Sequence, residues 1–197
     1  GAKTIIMDDG LQNPSLLKDL SLCVIDGTYG IGNGRVMPAG PLREEFEYSL
    51  QKSNAVVILG LDQAGIAEQI KRITPDMIII KAQIKAEPTD LDFTNQPVHA
   101  FAGIAQPEKF FITLNELGCT LAKTTAFTDH HAYTDAEVSE LIEAAQADKA
   151  LLLTTEKDYV RLDTKWQSAV KPLGIRLEWE DEAPLTALLE PIIRFAS

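Results

Sequence analysis

Two adjacent carboxylates close the first apolar run of the chain, in Ile5-Ile6-Met7-Asp8-Asp9-Gly10, with Gln12 just behind. The run reads as a buried strand over Thr4–Met7. Carboxylates at the C-terminal end of such a strand stand where open α/β sheets bind ligands. Mg²⁺ is commonly held there by one or two carboxylates together with substrate phosphates. The competing reading is an Asp-Asp-Gly turn. A second stretch, Asp26 to Glu44, packs five glycines and two prolines into nineteen residues around Asn33, Gly34, Arg35 and Arg43. Glycines let backbone approach a ligand closely, and arginines grip phosphate bidentately. An ordinary surface loop with two solvated arginines fits the same residues equally well. A third segment is Asp129-His130-His131-Ala132-Tyr133-Thr134. Histidine exchanges protons near neutral pH, a neighbouring carboxylate can orient its ring, and the ring can also ligate a metal. A polar strand-to-helix connection is the plainer reading. The fourth is Thr154-Thr155-Glu156-Lys157-Asp158, whose charged groups could meet a base or a phosphate. Spacing alone favours a capped helix start, Thr155 followed by Asp158. His99 falls inside an apolar strand and reads as a core histidine.

The elements around these segments alternate. Strands are expected at Thr4–Met7, Leu22–Asp26, Ala55–Leu59, Met77–Ile80, Val98–Ala102, Leu121–Phe127, Leu151–Thr154 and Ile175–Trp179. Ile66, Ile70 and Ile73 mark one face of a helix from Asp62 to Arg72. A second helix follows Pro107, carrying Phe110, Phe111, Leu114 and Leu117 on one side. A third begins at Thr134 with Glu137 three residues on, a capping box. Leu185, Leu188, Leu189, Ile192 and Ile193 outline a terminal helix interrupted by Pro191, which would kink it. This is an α/β chain with a mostly parallel sheet. The segment Glu87–Pro97, poor in apolar residues and holding two prolines, is the expected linker between residues 1–86 and 98–197.

The 197 residues carry a formal net charge of −11, with 45% hydrophobic and 24% charged residues. That composition is globular. Its acidity speaks against nonspecific nucleic-acid binding and against general adhesion to anionic lipid. Cys23 and Cys119 lie far apart in apolar segments and are expected to be buried thiols of a reducing compartment. The acidic cluster Glu178, Glu180, Asp181 and Glu182 reads as a solvated face. The chain enters a core-type segment at once, and is expected to be a fragment or a processed chain.

Taken together and in order, the motifs resemble the tetraacyldisaccharide 4′-kinase family, the lipid A kinases. The resemblance rests on Asp8-Asp9-Gly10-Leu11-Gln12, on Gly32-Asn33-Gly34-Arg35 through Pro38-Ala39-Gly40-Pro41-Leu42-Arg43-Glu44, on Phe101-Ala102-Gly103-Ile104 with Pro107-Glu108-Lys109-Phe110-Phe111, on Asp129-His130-His131-Ala132-Tyr133, and on Thr155-Glu156-Lys157-Asp158. It implies a P-loop NTPase-like parallel sheet, incomplete at its N-terminus, joined to a smaller C-terminal α/β domain. It implies transfer of the ATP γ-phosphate to the 4′-hydroxyl of a lipid disaccharide 1-phosphate, giving lipid IVA, with ATP and Mg²⁺. By position, Asp8 and Asp9 match the metal-handling pair, with Asp9 in the catalytic set. His130 matches the histidine that assists a catalytic aspartate lying upstream in the family. Glu156, Lys157 and Asp158 match the nucleotide-side motif, and Asn33, Gly34, Arg35 and Arg43 the substrate-facing stretch. The resemblance further implies a peripheral protein on the cytoplasmic face of the bacterial inner membrane, touching it through an N-terminal part. Two features depart from the family. Asn13 stands where many members have His, and no G-x-x-x-x-G-K-[ST] phosphate loop occurs in these residues. Without that cradle this chain alone is expected to have little or no kinase activity. The alternatives are a metal-dependent phosphoesterase of the Asp-His-His type, and a non-catalytic nucleotide- or lipid-binding module.

Overall fold

A strand survives only where its backbone groups find a ladder, and this decides which apolar runs become strands. The computed structural model describes residues 3–87, Phe93 and 96–196. In it the run Thr4–Met7 is not a strand. Ile5 is 71% and Ile6 93% exposed, and no described strand pairs with them. The expectation of an opening strand is therefore corrected: β-propensity supplied the side chains, but the described residues supply no partner for the backbone.

The other expected strands form. They are β1 (Leu22–Asp26), β2 (Ala55–Leu59), β3 (Ile78–Ala86), β4 (Pro97–Ala102), β5 (Thr120–Ala126), β6 (Leu151–Thr155) and β8 (Ile175–Trp179). The short β7 (Lys171–Leu173) has too little apolar sequence to be read in advance. The helices are α1 (Phe46–Gln51), α2 (Ile66–Ile73), α3 (Pro107–Glu116), α4 (Asp135–Ala147), α5 (Glu156–Tyr159), α6 (Thr164–Gln167) and α7 (Ala183–Ala196), which runs on through Pro191.

The chain divides into two compact units, residues 1–84 with 177–197, and residues 85–176. The sequence reading kept the last residues with the second domain; here they belong to the first. The expected linker falls largely on residues 88–92, 94 and 95, outside the described residues.

The first unit holds a sheet in the order β1-β2-β3-β8, with β1, β2 and β3 mutually parallel. The central strand β2 is buried from Ala55 to Ile58, as a strand covered on both faces must be. Ile66 and Ile70 of α2 join Ile25, Val56, Ile58 and Met77 in one core. Full burial of each is worth about 1.5–3 kcal/mol. Asp62 lies ahead of that helix, which Gly65 caps, and satisfies its first turn, its carboxylate accepting from the N–H groups of Ile66 and Ala67. Ala55, Val57, Ile80 and Ala82 pack with Trp179, Leu185 and Leu188, so α7 contributes to a second core of this unit.

The second unit holds a parallel sheet in the order β5-β4-β6-β7. Every crossover between parallel neighbours returns the chain to the same end, so the C-terminal ends of β4, β5 and β6 share one edge. Its two cores centre on Leu153 with Phe110 and Leu114, and on Phe101 with Val138 and Leu141. His99 is a core residue, 2% exposed; its Nε2 lies 2.9 Å from Asp148 Oδ2, and its Nδ1 has no hydrogen-bond partner among the described residues. Cys119 is buried and Cys23 half-buried, both as free thiols. Glu178, Glu180, Asp181 and Glu182 are all exposed. No described helix is long and apolar enough to cross a membrane.

Candidate functional site

In the first unit the acidic pair is tied to the glycine-rich stretch. Arg43 donates to Asp9 Oδ2 at 2.6 Å. Gln12 donates to Glu44, which also accepts from Ser49 and Lys52. Burial pushes the Glu44 carboxyl up, but the hydrogen bonds from Lys52, Ser49 and Gln12 outweigh it and hold the group below the usual carboxylate range. Asp9 itself sits at φ 53°, a left-handed conformation that Asp tolerates better than most residues. Asp8, Asp9, Asn33, Gly34, Arg35 and Arg43 are all exposed.

The stretch behind the pair is a folded loop. Asn33 caps its own turn, accepting from Arg35 N–H and donating to the Ala39 carbonyl. Met37 and Leu42 close it through Met37 N–H to Leu42 O and Leu42 N–H to Arg35 O. Gly40 has to be glycine, because a Cβ there would lie 2.1 Å from Asn33 Oδ1 and 2.3 Å from the Arg35 carbonyl. The loop thus presents Arg35 on a backbone fixed by its neighbours.

Among the described residues no group of three or more His, Cys, Asp or Glu side chains is arranged to hold a metal ion. Mg²⁺ asks for less, one or two carboxylates with phosphate oxygens completing the shell. The exposed, adjacent Asp8 and Asp9 fit that requirement.

In the second unit, the ends of β4, β5 and β6 bring Gly103, Asp129–Tyr133 and Thr155–Arg161 to one place. Asp158 is the hub. It is fully buried, and its Oδ2 accepts from Gly103 N–H at 3.0 Å and from the Thr155 hydroxyl at 2.7 Å. Its Oδ1 lies 3.4 Å from Arg161 Nη1. Thr155 Oγ1 in turn caps α5 by accepting from Asp158 N–H. The capped-helix reading of this segment is therefore what forms, and the Asp158 carboxylate is spent on protein donors. Glu156 and Lys157, by contrast, are exposed, with Lys157 Nζ 3.6 Å from Asp129 Oδ1.

The two histidines part company. His131 turns inward, stacking on Phe127 with centroids 4.6 Å apart and meeting Glu137 at 3.1 Å. His130 is presented outward, its side chain 70% exposed. Its backbone is left-handed, at φ 58°, and its N–H donates to Gly103 O and to Asp129 Oδ1. Its ring is bracketed by Arg161 Nη2, 2.9 Å from Nδ1, and Asp129 Oδ2, 3.7 Å from Nε2. The Tyr133 hydroxyl is buried beside the Asp158 carboxylate. Its pKa is raised well above the usual phenol range by desolvation, then by the Asp158 charge and by a hydrogen bond to that carboxylate.

Sequence reasoning missed Arg161, which no motif includes, and the structural part played by Gly103. A Cβ at position 103 would lie 2.8 Å from Tyr133 Oη and 3.2 Å from Asp158 Oδ1. A signal for Arg161 did exist: it falls one helical turn after Asp158, the spacing of an i,i+3 ion pair.

Known proteins are similar to this chain over nearly its whole length. The chain is 44% identical over 192 residues to the tetraacyldisaccharide 4′-kinase of Paramagnetospirillum magneticum, covering 98% of this chain and 58% of that relative. It is 42% identical over 194 residues to the enzyme of the same name from Rhodospirillum centenum, covering 98% and 57%. The chain thus spans less than two-thirds of the length of these curated relatives. In fold it resembles a crystal structure of LpxK from Aquifex aeolicus solved in complex with ATP, with a TM-score of 0.65, 23% identity, and coverage of 93% of this chain and 55% of that one. The model of one family, described as tetraacyldisaccharide-1-P 4′-kinase, matches residues 1–194, and this chain belongs to that family.

Proposed function

We propose that the protein of which these residues form part transfers the γ-phosphate of ATP to the 4′-hydroxyl of a tetraacylated disaccharide 1-phosphate, giving lipid IVA. The family match over residues 1–194 carries this reading. Its motif residues take the following parts. Asp8 and Asp9 hold Mg²⁺, which when bound neutralises phosphate charge. The Arg43 ion pair keeps the Asp9 carboxylate fixed until then. Asn33, Gly34, Arg35 and Arg43 face the anionic sugar substrate, for which guanidinium groups on a fixed loop are suited. Glu156 and Lys157 face the nucleotide, while Asp158 builds the turn that carries them. His130 assists the catalytic aspartate that lies upstream in the family, its exposed Nε2 being the nitrogen that can donate to that carboxylate. The phosphate loop of such an enzyme is of the P-loop NTPase kind and lies outside these 197 residues. The protein works peripherally at the cytoplasmic face of the bacterial inner membrane.

The test is steady-state kinetics of the full-length enzyme carrying Asp9→Ala. The expected result is a fall in kcat of about 10²-fold or more, consistent with loss of charge stabilisation at a transferring phosphoryl group. Near-normal turnover would remove Asp9 from the metal site. The 197-residue chain alone is expected to phosphorylate no disaccharide, and detectable ATP-dependent product would refute the need for a separate phosphate cradle.

A further inference from the structure

The group that faces His130 Nδ1 is Arg161, and a guanidinium has five N–H donors and no acceptor. At 2.9 Å the contact between Arg161 Nη2 and His130 Nδ1 is a hydrogen bond in which the imidazole nitrogen must accept. In the neutral ring the proton then resides on Nε2, the nitrogen that looks toward Asp129 Oδ2. Arg161 is itself held. Its Nη1 lies 3.4 Å from both the Gly103 carbonyl and the fully buried Asp158 carboxylate. The same Gly103 carbonyl accepts from His130 N–H, so ring and backbone of His130 are referenced to one peptide unit. The left-handed φ of His130 turns its ring out of the strand-to-helix path and onto that arginine.

We propose that Arg161 is the positioning residue for His130. It fixes the neutral imidazole as the Nε2–H tautomer and sets the direction in which Nε2 points. In this role Arg161 acts through His130 rather than on the nucleotide or the acceptor sugar. The buried Asp158 is the counter-charge that holds the guanidinium in place, which gives the last residue of the Thr-Glu-Lys-Asp segment a reason to be an acid. The kinetic part of this proposal rests on the kinase reading, whereas the tautomer does not.

The experiment is ¹⁵N NMR of histidine-labelled full-length protein at about pH 8.5, above the ordinary imidazole range, with the His130 signals assigned by their loss in His130→Gln. The expected wild-type spectrum shows His130 Nδ1 as the unprotonated nitrogen and Nε2 as the protonated one. Arg161→Gln should replace this pattern by a tautomer average and lower kcat by about 10²-fold, the cost of a small misplacement of a reacting group, with KM for ATP unchanged. Arg161→Lys, which restores one charged donor, should recover part of both. Wild-type His130 protonated on Nδ1, or an averaged tautomer, would overturn the proposal. So would an unchanged kcat in a folded Arg161→Gln protein whose tautomer had been lost. Should Arg161→Gln fail to fold, the wild-type spectrum and the lysine variant decide. An inactive wild-type protein with the expected spectrum would remove the kinase reading and leave the tautomer assignment standing.

Discussion

A buried carboxylate survives only where donors converge on it, and Asp158 shows what that convergence achieves. Its partners Gly103, Thr155 and Arg161 come from two strand ends and the turn after α5. Removing the acid strands the buried Gly103 N–H, which costs about 1–3 kcal/mol before any loss at Arg161 is counted. Asp158→Ala should therefore lower stability in urea unfolding by at least that much, and a loss well under 1 kcal/mol would show the hub to be idle. Gly103 is constrained from the other side. A Cβ there lies 2.8 Å from Tyr133 Oη, at a site already filled by the Tyr133 and His131 side chains. Gly103→Ala should cost about 1–3 kcal/mol through overpacking, read as a lowered midpoint with an unchanged denaturant slope. A neutral effect would mean that Tyr133 swings away freely.

At the scale of one element, α4 is the best specified. Its N-cap is a complete capping box: Thr134 accepts from Glu137 N–H and Glu137 reaches back to Thr134 N–H. Thr134→Ala should cost about 1 kcal/mol, measurable as a shifted thermal midpoint. The box also makes a pH prediction. Backbone and side-chain hydrogen bonds from Thr134, then that from His131, hold the Glu137 carboxyl down at about 2. A folded-state value below the unfolded one means that the ionised group stabilises the fold above the unfolded carboxylate range. That contribution is lost as pH falls through the range and on toward 2. The stability difference between wild type and Glu137→Gln should thus be constant above about pH 5 and vanish near pH 2. A difference independent of pH would place the effect in packing instead. At this scale the sequence was largely readable. Thr134 and Glu137 announce their helix, and the isoleucines of α2 announce theirs, because caps and 3.6-residue periodicity are local. Ile5 and Ile6 announce a strand with equal force and form none, because pairing is not local.

On the scale of the molecule, the second unit is one continuous segment, residues 85–176, with a four-stranded sheet and two cores of its own. The first is discontinuous and recruits residues 177–197, whose Leu185 and Leu188 join its core. A polypeptide of residues 85–176 should therefore fold alone and unfold cooperatively, tested by calorimetry and amide dispersion; a chain without a cooperative transition would show that the segment needs the rest.

The sequence by itself determined the order of the motifs, the alternation of strand and helix, and with them the family, since these depend on residue types and short spacings. Tertiary structure alone decided how those residues are used. It separated His130 from His131, turning one to solvent and the other onto Phe127. It made Asp158 a buried anchor rather than an exposed contact, and it placed Arg161 on His130 across 31 residues of chain. Parallel crossovers do this by bringing distant strand ends to one edge, and no local pattern records which side chains will meet there.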